Sequence, residues 1–334
     1  MNKERLLKFM EDFSSKKIMI IGDFCLDEYI YTDMRMISAE APVPRVVINS
    51  KKYIPGAAGN VACGIRALGA NACAVGVIGN DDNGKKLIDE FKKRGINIDG
   101  LKLFQNRNTV TYSRIVSGGG KVPKQHVLRF DAINTEKTSD EMTLDMLNFI
   151  KSKIKDVDAI ILADYDEAGG TGIVTDKLIL ELSKICKVNK KILVGDSREN
   201  FHKYVDFTII KPNEIEAGKA VSKNLLSEND FINAGNRLME NLNTDSILIT
   251  AGENGIYLFE KNNEMKKIPT FAKKIVDVCG AGDTVTCVSL LAKLSGASYE
   301  EAAQLASYAA AVTVSKEGTV SVTREEIKEL MLNE

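Results

Sequence analysis

Along the 334 residues, short apolar runs of strand length alternate with stretches whose apolar side chains recur at helical spacing. KIMIIGD (17–23), ACAVGVIG (72–79), DAIILAD (158–164), KILVGD (191–196), FTIIKPN (207–213) and SILITAG (246–252) are nearly continuous in apolar and β-branched residues. That texture belongs to parallel strands buried on both faces. Between them the helical period predicts helices over 59–68, 83–94, 139–155, 174–187, 228–241, 280–295, 298–315 and 323–332. Alternation on this scale predicts an α/β fold, a doubly wound and mostly parallel sheet flanked by helices.

Two regions break the alternation. Residues 28–54 and 109–131 show a period of two, rich in β-branched side chains, with Pro or Gly between the runs. They predict a small β-strand lid projecting from the α/β core. Neither segment could bury a core by itself, so one domain is expected over 1–334, with both lid segments inserted into it.

Composition narrows the function classes. With 45 basic against 46 acidic residues, no global field points to nucleic acid or a membrane as partner. The N-terminal stretch MNKERLLKFMEDFSSKK is charged and has no apolar h-region, and no uncharged run nears the roughly 18 residues of a membrane span. A cytoplasmic location is expected. Six cysteines (25, 63, 73, 186, 279 and 287) lack CxxC or Cys/His ligand spacing and suit reduced, packed thiols. Two histidines, His126 and His202, leave little for structural zinc or a His-based triad.

Two motifs mislead. GNDDNGKK (79–86) nearly spells a phosphate-binding P-loop, but Lys86 replaces the hydroxyl residue that would hold Mg²⁺, and Asp81 and Asp82 add charge of the wrong sign. A strand-to-helix turn with an acidic first turn accounts for it. Dinucleotide binding needs G-x-G-x-x-G, yet the first strand runs into GDFCLDEY, and Val285 stands where a third glycine would follow Gly280 and Gly282.

DVCGAGDTV (277–285) is more telling. Helical spacing begins just after it, so Asp283 falls near a first turn, where unpaired N–H groups favour an anion. If the N–H groups after Gly280, Ala281 and Gly282 faced a phosphoryl group in transfer, they would form an anion hole. Asp283 would then accept the proton of an incoming alcohol late in a loose transition state. The plainer alternative is a favourable charge at a helix start. Other stretches offer matching pieces, each of which could equally be a cap, a turn or a packing glycine. GDFCLDEY places Asp23 and Asp27 where they could bind vicinal hydroxyls. PGAAGNVACGIRALGA (55–70) puts small residues and Asn60 at a helix start. KPNEIEA (211–217) sets Asn213 and Glu216 on one face of a first turn, suited to Mg²⁺ through water. TAGENG (250–255) follows a strand with Thr250, Gly252 and Gly255.

In this order and spacing the set resembles the ribokinase-like PfkB carbohydrate kinases, over about Lys17 to Glu326. DVCGAGDTV is similar to the family's D-x-x-G-A-G-D signature. The resemblance implies a ribokinase-like fold and ATP-dependent phosphorylation of a sugar hydroxyl. It implies Asp283 as catalytic base, with Gly280, Ala281 and Gly282 as anion hole. Asn213 and Glu216 would serve Mg²⁺ and ATP, and Thr250, Gly252 and Gly255 the nucleotide. Asp27, Gly56 and Asn60 would face the sugar, while Asp277 and the Cys279 carbonyl match positions that hold a monovalent cation such as K⁺ in some members. A homodimer through the lid is also implied.

GDFCLDEYIY, ISAEAPVPRVVI and PGAAGNVACGIRALGANACAVGVIGNDDNG resemble the branch acting on D-glycero-D-manno-heptose 7-phosphate at the anomeric position, with ISAEAPVP the diagnostic part. That branch often carries a following nucleotidyltransferase domain. The chain departs from the branch in three places. Gly56-Ala57 replaces two glycines, and Asp164-Tyr165-Asp166-Glu167-Ala168-Gly169 replaces Asp-Tyr-x-Lys-Gly. Thr109-Val110-Thr111-Tyr112-Ser113-Arg114 lacks the lysine of T-x-T-K-x-R. Lys121 or Lys124 of the GGGKVPK insertion could restore charge, and Arg35, Arg114 and Arg129 remain as phosphate forks. Two alternatives stand beside this reading: a PfkB-type kinase for another sugar or nucleoside, and a non-catalytic sugar- or nucleotide-sensing protein on the kinase scaffold. The presence of Asp283, Asn213 and Glu216 weighs against the second.

Overall fold

The structure, a computed structural model, describes residues 3–119, 122–166, 170–199, 201–261 and 265–333. Helix α1 (Lys3–Glu11) precedes β1 (Lys17–Gly22), and a long hairpin follows, β2 (Phe24–Ile37) and β3 (Pro44–Ala57). The chain returns through α2 (Ala58–Ala67), β4 (Asn71–Gly79), α3 (Asp82–Lys93) and β5 (Asn97–Phe104), then makes a second hairpin, β6 (Thr111–Gly119) and β7 (Val122–Ala132). After α4 (Asp140–Lys153) come β8 (Ala159–Asp164), α5 (Asp176–Asn189), β9 (Ile192–Ser197), β10 (Ile209–Ile210), α6 (Glu214–Val221) and α7 (Glu228–Leu242). The chain closes with β11 (Ser246–Thr250), β12 (Ile256–Glu260), β13 (Lys266–Ile268), α8 (Ala281–Leu294), α9 (Tyr299–Val314) and α10 (Arg324–Leu332).

Nine strands form one sheet in the order β13-β12-β11-β10-β9-β8-β1-β4-β5. The run from β11 to β5 is parallel, and β12 and β13 add an antiparallel edge. Strand β1 shows why both faces are covered: Ile18 and Ile20 join a core with Val61, Val288 and Leu291, whereas Met19 and Ile21 join one with Met146 and Leu182. Side chains alternate across a strand, so a continuous apolar run feeds two cores at once. The expected α/β architecture is therefore present, with helices on both faces.

The second sheet has the order β3-β2-β6-β7, with β2 and β6 parallel and the other pairs antiparallel. Its strands reach closer to the core than the period-2 texture suggested, beginning at Phe24 and ending at Ala57 and Ala132. The half of β2 next to the core is largely buried, and its distal half is exposed. ISAEAPVP forms the exposed tip joining β2 to β3.

Three strands and two helices were not anticipated. β5 is a half-buried edge strand whose irregular burial hides its period, and β12 and β13 are short. Helix α6 has 8 residues, too few for a periodic signal. The expected strand over 207–213 contracts to Ile209–Ile210, because Pro212 offers no N–H to a ladder. Among the described residues, no helix is long and apolar enough to cross a membrane. All six cysteines are free thiols.

Candidate active site

Parallel strands all deliver their carboxyl ends to one edge of the sheet, and the residues just beyond those ends converge there. Tyr165 follows β8, Asp196 lies at the end of β9 with Arg198 just beyond it, and Lys211 and Asn213 follow β10. The first turn of α8 meets them, and the core-proximal part of the lid lies over them. Together they line a cleft of about 450 Å³ that also takes in Asp27, Gly56, Asn60, Arg114, Arg129, Glu216, Cys279, Gly280, Gly282 and Asp283.

Gly280 sits at the N-cap of α8 with φ +79°, a conformation suited to glycine, and turns the chain so that Ala281, Gly282 and Asp283 form the first turn. A side chain on Gly282 would press on the Lys211 ammonium, 3.0 Å from where its Cβ would lie. Asp283 is half-buried in the cleft wall with both oxygens engaged: the Tyr165 hydroxyl donates to Oδ1 at 2.8 Å, and the Asn60 amide donates to Oδ2. Burial, then the charge of Asp196, raises its pKa, against the pull of Asn60, Lys211 and Tyr165. Asp196 is itself held by Lys211 at 3.1 Å and by the Thr286 hydroxyl at 2.7 Å. Burial opposes the Lys211 charge, but Asp196, Glu216 and Asp283 outweigh it and hold the ammonium protonated.

Asn213 and Glu216 lock each other in a capping box at the start of α6: each side chain accepts the other's backbone N–H at 2.8 Å. The cap interpretation is thus correct, and both residues still face the cleft. Among the described residues, no group of three ligating side chains gathers around a metal position. The donor set fits Mg²⁺ held mostly by phosphate oxygens and water, with one protein carboxylate nearby.

Asp277 draws a loop together, accepting from the Cys279 N–H at 2.9 Å and the Gly318 N–H at 3.0 Å. Those bonds, led by Cys279, hold its pKa below the usual carboxylate value. Thr250, Gly252 and Gly255 stand outside the cleft lining, at the end of β11 and in the turn that leads to β12. They adjoin its Asn213 end, since Thr250 bridges to Asn213 and donates its N–H to the Pro212 carbonyl.

On the lid side, Arg114 donates to Asp27 at 2.6 Å and lies over the Tyr29 ring. A side chain at Gly56 would displace the Asp27 carboxylate and the Cys25 thiol, which lie where its Cβ would need to go. Ala57 adopts φ +53°, so its methyl lines the cleft from a backbone state that favours glycine. Asp23, expected beside Asp27 on a polyol, does otherwise: its carboxylate accepts the Ile173 N–H at 2.7 Å and the Tyr165 N–H at 3.3 Å, outside the cleft. Burial and neighbouring carboxylates raise its pKa to about 7.

The departures from the branch pattern have local explanations. Asp166 accepts the Gly170 and Thr171 N–H groups at 2.5 and 2.9 Å and is not part of the cleft lining, so this acid organises its own turn. Glu167 and Lys121 lie outside the described residues. Tyr112 carries the Arg129 guanidinium 4.6 Å above its ring, returning a positive charge to the place of the lost lysine. Lys124 lies over Tyr31, and neither Lys124 nor Arg35 lines the cleft. Sequence reasoning passed over Tyr165, Asp196, Arg198 and Lys211. The usable signal was their place at the carboxyl ends of predicted strands.

Fold and cleft define a class: an α/β phosphotransferase scaffold with a β lid over a helix N-terminus and a half-buried carboxylate. The sequence profile described as pfkB family carbohydrate kinase matches residues 15–326, and the chain belongs to that family. Among curated relatives, a protein named "Bifunctional protein HldE" from Desulfatibacillum aliphaticivorans is 35% identical over 95% of this chain. One of the same name from Nitratiruptor sp. is 36% identical over 94%. The chain spans just under two thirds of their length, 63% and 64%. Among solved structures, Arabidopsis thaliana ribokinase complexed with ribose and ATP superimposes with a TM-score of 0.71 at 21% identity, covering 95% of this chain and 98% of that one. Escherichia coli phosphofructokinase-2 in complex with potassium gives 0.73 at 16%, covering 95% and 99%. These likenesses show the fold.

Proposed function

We propose that this chain transfers the γ-phosphoryl group of ATP to a sugar hydroxyl, with D-glycero-D-manno-heptose 7-phosphate as acceptor at its anomeric position. The observation that carries the reading is Asp283, a half-buried carboxylate on the first turn of α8, facing a cleft lined by Lys211 and three arginines. The acceptor oxygen bonds to the γ-phosphorus as the bond to the ADP oxygen breaks, and the acceptor's proton passes to Asp283 late in the step. The first-turn amides of α8 and the Lys211 ammonium face the charge that spreads over the phosphoryl oxygens. Mg²⁺, when bound, neutralises the phosphates, and Asn213 and Glu216 would hold it through water. Asp277 and the Cys279 carbonyl would hold a K⁺ ion beside the anion hole. Thr250, Gly252 and Gly255 receive the nucleotide, and Asp27, Gly56 and Asn60 the sugar.

Support for a phosphorylated acceptor comes from Arg114, Arg129 and Arg198 lining one cleft, from Asp166 lying outside it, and from the ISAEAPVP likeness to the heptose branch. The same reading places the enzyme in the cytoplasm, as a homodimer joined through its lids. Met34, Met36, Ile37, Ile48, Leu128 and Phe130 leave an apolar set exposed on the lid strands.

The test is ADP release with Mg-ATP across free sugars and sugar phosphates, with Asp283→Asn as blank. Turnover on heptose 7-phosphate is expected. Turnover confined to unphosphorylated sugars would overturn the acceptor, and silence across the panel would overturn the kinase reading.

A further inference from the structure

Asp283 is gripped by two donors of different character. Asn60 presents an amide N–H₂, which can only donate. Tyr165 presents a hydroxyl, which can donate in more than one direction. The phenol is bonded to Asp283 of α8 and lines the same cleft as Asp196 of β9, and both carboxylates act on it. It has one proton to give, and in this structure gives it to Asp283. Asp196 has partners of its own, Lys211 at Oδ1 and Thr286 at Oδ2.

We infer that Tyr165 is a positioning residue for the phosphoryl-transfer base, sharing its single phenolic proton between Asp283 and Asp196 during turnover. The inference rests on the proposed kinase reading. While Asp283 is charged, it is the stronger acceptor and draws the phenol, which keeps the carboxylate ionised and fixes its plane. Once Asp283 has taken the acceptor's proton it is a neutral, weaker acceptor, and the phenol turns to the charged Asp196. No covalent bond is made or broken at Tyr165. Burial followed by the two carboxylates holds its pKa well above the ordinary value, so the proton is retained throughout. The ring itself is clamped, with the Arg198 guanidinium 5.3 Å from its centroid, so only the O–H needs to turn.

The groups facing Asp283 are Asp196 at the end of β9, Lys211 after β10, Tyr165 after β8 and Cys287 one turn along α8. Glu216 of α6 acts on the same Lys211. Tyr165→Phe removes one donor to the charged base and leaves the others in place. Hydrogen bonds to charged groups of this kind correspond to about one to two pH units. The acid limb of kcat/KM should therefore move up by about that much, with kcat down roughly tenfold to hundredfold and the KM for ATP little changed. The carboxyl infrared band that titrates in the wild type and vanishes in Asp283→Asn should shift upward by the same amount in Tyr165→Phe, with no substrate present. An unchanged acid limb and an unchanged band in a folded Tyr165→Phe would overturn the inference. Replacement of Tyr165 by 3-fluorotyrosine keeps the hydroxyl and sharpens it as a donor, so the limb should return to the wild-type position or below. Failure to return would also overturn the inference, and this variant serves alone if Tyr165→Phe does not fold. Should no sugar turn over in the wild type, the kinase reading fails, while the infrared titration still decides the role of Tyr165.

Discussion

At position 57 an alanine holds φ +53° and ψ −126°, a combination open to glycine and strained for any residue with a Cβ. Relief of that strain outweighs the extra chain entropy of glycine, so Ala57→Gly should stabilise the fold by about 1 kcal/mol. A higher urea midpoint at unchanged m-value would show it. Asp283 makes a second prediction at this scale. Asp283→Asn should lower kcat by roughly 10²- to 10⁴-fold while leaving the thermal midpoint near wild type. Because the charged form is the active one and burial with Asp196 raises its pKa, activity should fall as the pH drops, starting above the ordinary carboxylate range. An acid limb at or below that range would contradict the burial argument. Asp283 was legible because GAGD compresses a helix start and an acid into four letters. Tyr165 and Asp196 were not, because each acquires its partner across 118 and 90 residues of sequence.

Among the elements, α6 serves two ends with the same two side chains. Glu216→Gln separates them, since the amide oxygen can still accept the Asn213 N–H while the charge is lost. Unfolding should change by less than about 0.5 kcal/mol, whereas the Mg²⁺ concentration for half-maximal turnover should rise several-fold. A large loss of stability with unaltered Mg²⁺ dependence would assign Glu216 to the cap alone. The parallel strands and long helices could be read from the sequence because each repeats its burial pattern over several turns or pleats. α6 and β13 could not, being 8 and 3 residues long, shorter than the window in which a period declares itself.

For the whole molecule, the exposed apolar side chains of the lid give the prediction. Leu128→Lys with Phe130→Lys should convert the proposed homodimer to monomer in light scattering, leaving the thermal unfolding of the α/β core little changed. A monomeric wild type would remove the dimer reading. The existence of a lid was legible from its period of two, but its strand order was not. β2 pairs with β6 in parallel across 85 residues of sequence, and no local pattern encodes such a crossing.

The join between the two sheets is unusually short. β1 ends at Gly22 and β2 begins at Phe24, so one residue, Asp23, links the core to its cover. Asp23 is fastened on every side: its N–H to Ala163, its carbonyl to Ala58, its carboxylate to Ile173 and Tyr165. There is no slack length of chain here to act as an axle. At this strand the lid should therefore open by flexing a continuous ribbon, with larger excursions at its distal tip than beside Asp23.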